Sequence, residues 1–209
     1  IPILLLFYSA FIRFDNKEIV EKNDGQLITL VQPNIMQKDK WDLSKREDHI
    51  KNLLKLSIEK LENYRDKHRL IIWPETSFEG SIPNEFQLLS NISKKILINK
   101  KSTLVVGLLS KKNKKLYNSL IFLNSDGKIN YHYNKIHLVP FGEYIPFRSH
   151  LNAIANFFST RDFSPGNLKE NYNLKGFGEI ISLICYEILF SNEVNDRVSQ
   201  NTKLLINIT

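Results

Sequence analysis

Between Gln26 and Thr209, short apolar runs of strand length alternate with longer stretches whose apolar residues recur at helical spacing. That alternation confines the chain to a layered α/β fold in which helices cover a sheet. "QLITLVQPN" from Gln26 reads as the first strand. From Ser44 to about His68, the residues Ile50, Leu53, Leu54, Ile58, Leu61 and Tyr64 share one helical face. "RLIIWPE" reads as a buried strand halted by Pro74, which has no N–H for a ladder. "IPNEFQLLSNISKKIL" reads as a second helix with Pro83 in its first turn, and "STLVVGLLS" as a third strand. Alternation from Tyr117 to Tyr133 around "NSDGK" predicts a hairpin. An irregular stretch from Lys135 to about Leu174 follows, then a strand containing Cys185, a helix near Ser191 to Gln200, and a last strand.

The chain has 209 residues, 42% hydrophobic and 24% charged, enough for one sizeable core and unlike a disordered segment. Its single cysteine excludes an intramolecular disulfide framework and a cysteine-cluster metal site, and its five histidines show no metal-ligand spacing. The net charge of +7 comes partly from "SKKNKK" at 110–115, "KK" at 94–95 and "NKK" at 99–101, which read as a solvated basic face. These clusters lack interleaved aromatics and any nucleic-acid recognition motif. An anionic membrane surface fits them as well as nucleic acid does. The opening "IPILLLFYSAFI" is shorter than the ~20 residues of a membrane span and lacks the basic start and cleavage site of a signal peptide. It is read as the end of a transmembrane helix over residues 1–14, with a buried N-terminal strand or helix as the alternative, followed by a linker at 15–25 and a folded domain at 26–209. "KLLINIT" closes in an apolar, strand-like run without a turn, so the domain is expected to be incomplete.

Three positions at strand ends carry chemistry. Glu75 follows "LIIW" and Pro74 at the mouth of a buried strand, where a lone carboxylate is costly unless it is paired, exposed or functional. Lys135 ends the second strand of the hairpin. Cys185 lies within its apolar run, with Glu187 two residues on and on the same face if the run stays extended. Singly, each has a plain structural reading: a salt bridge, a solvated lysine, and a small core residue of the kind free cysteine usually is. Together they are chemically complete. A thiol becomes a nucleophile when a base takes its proton, and Glu75 is a candidate base. Acyl transfer also needs a cation or donor where the carbonyl oxygen becomes an oxyanion, and Lys135 is a candidate for that task. No histidine is required.

"IIWPETS" around Glu75, "KIHLVPFGEYIPF" from Lys135 and "ICYE" around Cys185 resemble, in order, the three signature segments of the nitrilase (carbon-nitrogen hydrolase) superfamily with its Glu-Lys-Cys triad. Within it, "LVPFGEYIPF", "VQPNIMQKDKW", "FSPGN" at 163–167 and the hydrophobic N-terminal tail resemble the apolipoprotein N-acyltransferase family. The resemblance covers about Gln26 to Thr209. It implies an α/β fold, a nitrilase-like αββα four-layer sandwich truncated at its C-terminus and preceded by the remnant of a transmembrane helix. It implies Glu75 as general base and acid, Lys135 as stabiliser of the tetrahedral intermediate and Cys185 as carrier of the acyl group. Glu143 would be a second carboxylate beside Lys135, Tyr186 a backbone donor to the oxyanion, Glu187 a support of the pocket, and Trp41 a residue at the entrance.

The reaction implied is ping-pong. A phospholipid acyl chain moves to the cysteine, and the N-terminal amine of a diacylglyceryl-modified lipoprotein then takes it, with no cofactor or metal, at the periplasmic face of a bacterial inner membrane. Phe147, Phe157 and Phe158 belong to "YIPFRSHLNAIANFFSTRDF", an apolar load without strand character, expected to be either a lid that admits acyl chains or a helix packed on the core. The rival readings are a soluble nitrilase-superfamily amidase acting on a small amide, and a non-catalytic membrane-tethered binding domain. A nucleic-acid partner is not expected.

Overall fold

The computed structural model describes residues 25–36, 38–58, 67–97, 99–146, 162–167 and 170–209. In chain order its elements are β1 (Gln26–Leu30), α1 (Arg46–Ile58), β2 (His68–Ile72), β3 (Phe78–Ile82), α2 (Phe86–Ile96), β4 (Ser102–Lys112), β5 (Lys115–Asn124), β6 (Ile129–Asn134), β7 (Tyr172–Leu174), β8 (Gly178–Ile184), a 3-10 turn (Cys185–Leu189), α3 (Ser191–Arg197) and β9 (Thr202–Ile208).

The strands form two sheets. In the larger, β1, β2 and β4 run parallel, β3 joins β4 in parallel, and β5 and β6 add antiparallel strands beyond β4. In the smaller, β8 lies between antiparallel β7 and parallel β9. Three apolar clusters order the layers. Leu53 of α1 and Leu89, Ile92 and Ile96 of α2 pack on Ile71, Leu104, Val106 and Ile121, the outer face of the large sheet. Leu70, Val105, Leu120 and Phe122 from its inner face meet Ile180, Ile184 and Ile206 of the small sheet. Ile181 and Leu183, on the far face of β8, meet Val194 of α3. Because β4 and β8 are covered on both faces, they read as nearly continuous apolar runs rather than alternating ones.

α1 begins with Glu47 and Asp48 and ends with Lys55, each charge placed to oppose the helix dipole. Its buried Ser57 returns a hydrogen bond to the Leu53 carbonyl (2.7 Å) and accepts the indole N–H of Trp73 (2.8 Å), fastening the helix to the strand that leads to Glu75.

Several expectations need correction. The helix read from Ser44 to about His68 is described over Arg46–Ile58, residues 59–66 lie outside the described residues, and His68 itself opens β2. Pro83 precedes α2 in a turn, because "FEGSI" before it forms β3 against β4. The lysine-rich "KKNKK" is the tip of a second hairpin, with Asn113 and Lys114 both left-handed (φ 51° and 64°), as a two-residue turn between twisted strands requires. Cys185 is not inside its strand but one residue past it, and the run does not stay extended. Among the described residues no helix is long and apolar enough to cross a membrane. The span expected at 1–14 lies outside the described residues, as do Phe147, Phe157 and Phe158.

Candidate active site

Three strand ends of the two sheets converge. β2 stops at Ile72, and Trp73 and Pro74 carry the chain to Glu75, whose carbonyl accepts Lys40 Nζ at 3.2 Å. Gly107 of β4 makes this turn possible: a Cβ there would stand 2.7 Å from Glu75 Cα and 2.8 Å from Thr76 N. Lys135 directly follows β6, its N–H held by the Asn118 carbonyl (2.8 Å) and its own carbonyl accepting Gly166 N–H (2.8 Å). Its side chain is only 1% exposed, so its ammonium must find partners inside the protein.

Those partners are two carboxylates. Lys135 Nζ lies 2.9 Å from Glu143 Oε2 and 3.6 Å from Glu75 Oε1. Glu143 is locked in place by accepting the Val139 N–H at 2.9 Å, in a loop turned sharply by the left-handed Phe141 (φ 64°). Asn118 on β5 bridges the carboxylates, donating its amide to Glu75 (2.6 Å) and to Glu143 (2.8 Å). Asn118 was not among the residues singled out from sequence. The signal was present: Asn118 and Ser119 are adjacent polar residues in a strand covered on both faces, where a polar side chain requires a partner.

Cys185 arrives from the other sheet with a left-handed backbone (φ 55°), rare for a residue with a side chain and typical of strained functional positions. Asn207 of β9 donates to its carbonyl at 3.0 Å. Burial pushes the thiol above its ordinary value and the Glu75 carboxylate, to which it hydrogen-bonds, pushes the same way, while Lys135 and the Tyr186 N–H pull it down. The resting thiol therefore keeps its proton and points it at a carboxylate.

Glu187 does not lie on a shared strand face with Cys185; it folds back. Only 2% exposed, it accepts Ile184 N–H (2.8 Å), Ile136 N–H (2.6 Å), His137 N–H (3.1 Å) and the Tyr133 hydroxyl (3.0 Å). One carboxylate thus ties the backbone beside Lys135 to the backbone beside Cys185. Burial, with Glu187 adding to it, holds the Tyr133 hydroxyl firmly protonated as the donor in this cluster. Tyr186 packs its ring edge-on against Phe190, with centroids 5.2 Å apart. Trp41 is exposed on the loop that carries Lys40, which reaches the Glu75 carbonyl. A cavity of about 200 Å³ opens beside Glu75, bordered by Gln32, Asn34, Lys40 and Thr76.

The structure therefore gathers Glu75, Lys135, Cys185 and Glu143, with Glu187 behind them and Tyr186 adjoining. Trp41 stands at the loop beside Glu75, and the three phenylalanines lie outside the described residues. Chemically the group contains a protonated thiol, a carboxylate able to accept its proton, and an ammonium beside both.

Comparison with known proteins places the chain in a family. In curated proteins, the chain is 34% identical to the apolipoprotein N-acyltransferase of Wigglesworthia glossinidia brevipalpis over 196 residues, covering 90% of this chain and 38% of that protein. It is 30% identical to the apolipoprotein N-acyltransferase of Vibrio cholerae, covering 87% and 37% respectively. The chain thus spans less than two fifths of these relatives' length. Among solved structures, NitN amidase from Neterenkonia sp. AN1 superposes with a TM-score of 0.56 at 17% identity, covering 86% of this chain and 65% of that one. Saccharomyces cerevisiae Nit3, a nitrilase-superfamily member, superposes with a TM-score of 0.55 at 19% identity, covering 78% and 58%. These likenesses establish a nitrilase-like α/β fold. The carbon-nitrogen hydrolase family model matches residues 27–209, nearly the whole of the described domain, and the chain belongs to that family.

Proposed function

We propose that this chain is the catalytic part of an apolipoprotein N-acyltransferase, with residues 26–209 forming most of a four-layer αββα domain behind a membrane helix ending near residue 14 and a linker at 15–25. The observation that carries the reading is the meeting of Glu75, Lys135 and Cys185 at three strand ends. The names of the curated relatives supply the substrate class.

In the first half-reaction Cys185 Sγ attacks the ester carbonyl of a phospholipid acyl chain while Glu75 takes the thiol proton. The carbonyl oxygen becomes an oxyanion, stabilised by the Lys135 ammonium and the Tyr186 N–H. As the ester C–O bond breaks, Glu75 returns the proton to the leaving lysophospholipid oxygen, and a thioester remains on Cys185. In the second half-reaction the N-terminal amine of a diacylglyceryl-cysteine lipoprotein attacks the thioester carbonyl. Glu75 accepts the amine proton and passes it to the departing thiolate. Glu143 holds Lys135 in place, Glu187 fixes the two strand ends, and Trp41, Phe147, Phe157 and Phe158 are the residues assigned to binding the acyl chain. The domain works at the periplasmic face of a bacterial inner membrane.

The test is direct. Full-length protein in detergent is mixed with phospholipid carrying a labelled acyl chain, quenched early and weighed intact. An adduct on Cys185 that hydroxylamine removes, and that Cys185→Ser and Glu75→Gln both lack, is the expected result. Folded protein without an adduct would overturn the reading.

A further inference from the structure

The hairpin between β4 and β5 places four lysines in the five residues 111–115. All four are exposed, and none forms an ion pair among the described residues. Lys112 and Lys115 are direct cross-strand partners. Like charges placed opposite each other destabilise a sheet, so this tip carries a local cost that folding does not explain and an anionic counterpart would relieve. Beneath the tip lies an open groove of about 740 Å³, with Lys111, Lys112 and Lys115 on its rim, Tyr117 in its lining and Ile82 and Phe86 on an apolar wall.

Topology sets the direction in which this tip points. β1, β2 and β4 are parallel, and β6 runs parallel to β4 through antiparallel β5. The lysine turn therefore lies at the same end of the sheet as Glu75, Lys135 and the loops after β1 and β6. Those loops expose Met36, Trp41, Leu43 and Phe141. At the opposite end the described loops 99–101 and 124–128 carry Lys100, Lys101 and Lys128 without an exposed large apolar residue, and Ile58 is exposed where α1 ends. Cations combined with exposed aliphatic and aromatic side chains on one end are what a headgroup–acyl boundary selects.

We propose that the Lys111–Lys115 turn docks this end of the domain against the phosphate-bearing headgroups of an anionic membrane surface, with the mouth of the Cys185 site facing the lipid. The purpose of the contact rests on the acyltransferase reading, which draws its donor from a bilayer, but the binding itself requires no chemistry at Cys185.

The test compares vesicles of phosphatidylcholine with vesicles containing about one third phosphatidylglycerol, using co-sedimentation of the 209-residue chain. Each lysine near an anionic leaflet is worth about fivefold in binding, so Lys111→Gln/Lys112→Gln/Lys115→Gln should bind the anionic vesicles about 100-fold more weakly. These side chains are exposed, and an unchanged circular dichroism spectrum confirms that the variant is folded. Added salt should weaken the wild type and leave the triple variant nearly unaffected. Cys185→Ala should bind as the wild type does, which separates this result from a failure of acylation. Equal binding by wild type and triple variant, or equal binding to both vesicle types, would overturn the proposal. Two further results would do the same: capture of inorganic phosphate without vesicle binding, or duplex DNA binding that survives salt sufficient to release the vesicles.

Discussion

Lys135 lies closer to Glu143 than to Glu75, 2.9 Å against 3.6 Å, although both carboxylates share the amide of Asn118. The closer acid takes the larger part of the ammonium's charge, and the more distant one is left facing the thiol. Replacing Glu143 by Gln keeps the shape and removes the charge. Acyl-adduct formation on Cys185 should slow by about 10- to 100-fold as Lys135 is drawn toward Glu75. Stability should fall by less than the ~3–5 kcal/mol of stripping a buried charge of its only partner, since Glu75 remains. Quenched-flow mass measurement and urea unfolding read the two effects separately.

Asn118→Asp is nearly isosteric, yet it exchanges the shared donor for a third carboxylate. Glu75 and Glu143 then lose a hydrogen bond each and gain a repulsive neighbour. Adduct formation should drop by about 100-fold or more, the scale of a misplaced catalytic group. The backbone pairing of Asn118 with Lys135 persists, so the circular dichroism spectrum should be unchanged.

The Cys185 thiol is raised from its ordinary 9.0 by burial first and by Glu75 second, and lowered by Lys135. Alkylation by iodoacetamide follows the thiolate, so its rate should climb with pH to a midpoint above that value. Glu75→Gln removes a raising influence and should move the midpoint down. Lys135→Met removes a lowering one and should move it up. Midpoints displaced in the opposite directions would contradict the arrangement of charge around the sulfur.

Glu187→Ala would leave the N–H groups of Ile184, Ile136 and His137 without their acceptor in a buried region. At about 1–3 kcal/mol for each of the three groups, the loss is a large share of the ~5–15 kcal/mol of an ordinary domain, and the melting temperature should fall steeply. Glu187→Gln retains an acceptor oxygen and should be milder, by several degrees of Tm in a thermal melt.

The central strands and both larger helices were legible because burial on one or two faces writes directly into periodicity: β4 is a nearly unbroken apolar run, and α2 repeats Leu89, Ile92 and Ile96 along one side. The end of β8 was not legible in the same way. "ISLICYEILF" is apolar apart from Ser182 and Glu187 and the hydroxyl of Tyr186, and nothing in the residue type of Cys185 announces a left-handed backbone, which glycine or asparagine would have done. The break becomes intelligible only when Glu187 is seen to accept from Ile184 beside it and from Tyr133, Ile136 and His137 on a segment about fifty positions away. β3 was hidden by Gly80 and the polar residues within "FEGSI", and β7 by being three residues long. The triad residue types, and the strand-end placement of Glu75 and Lys135, could be read locally, whereas that of Cys185 could not; Asn118 could not be assigned a task, because its two acceptors come from separate loops.

The Glu187 clamp has a consequence for the order in which the molecule matures. Its acceptor oxygens join residues 51 and 50 positions apart in the chain, at Ile136 and His137. Contacts of such separation form late, after local hairpins and helices, because closing the intervening chain costs entropy before the contact repays it. Until the small sheet docks on the large one, Cys185 has neither its turn nor the Glu75 carboxylate beside it. A chain still folding therefore carries only an ordinary thiol, and the setting in which Cys185 is proposed to carry an acyl group exists only once the domain has closed.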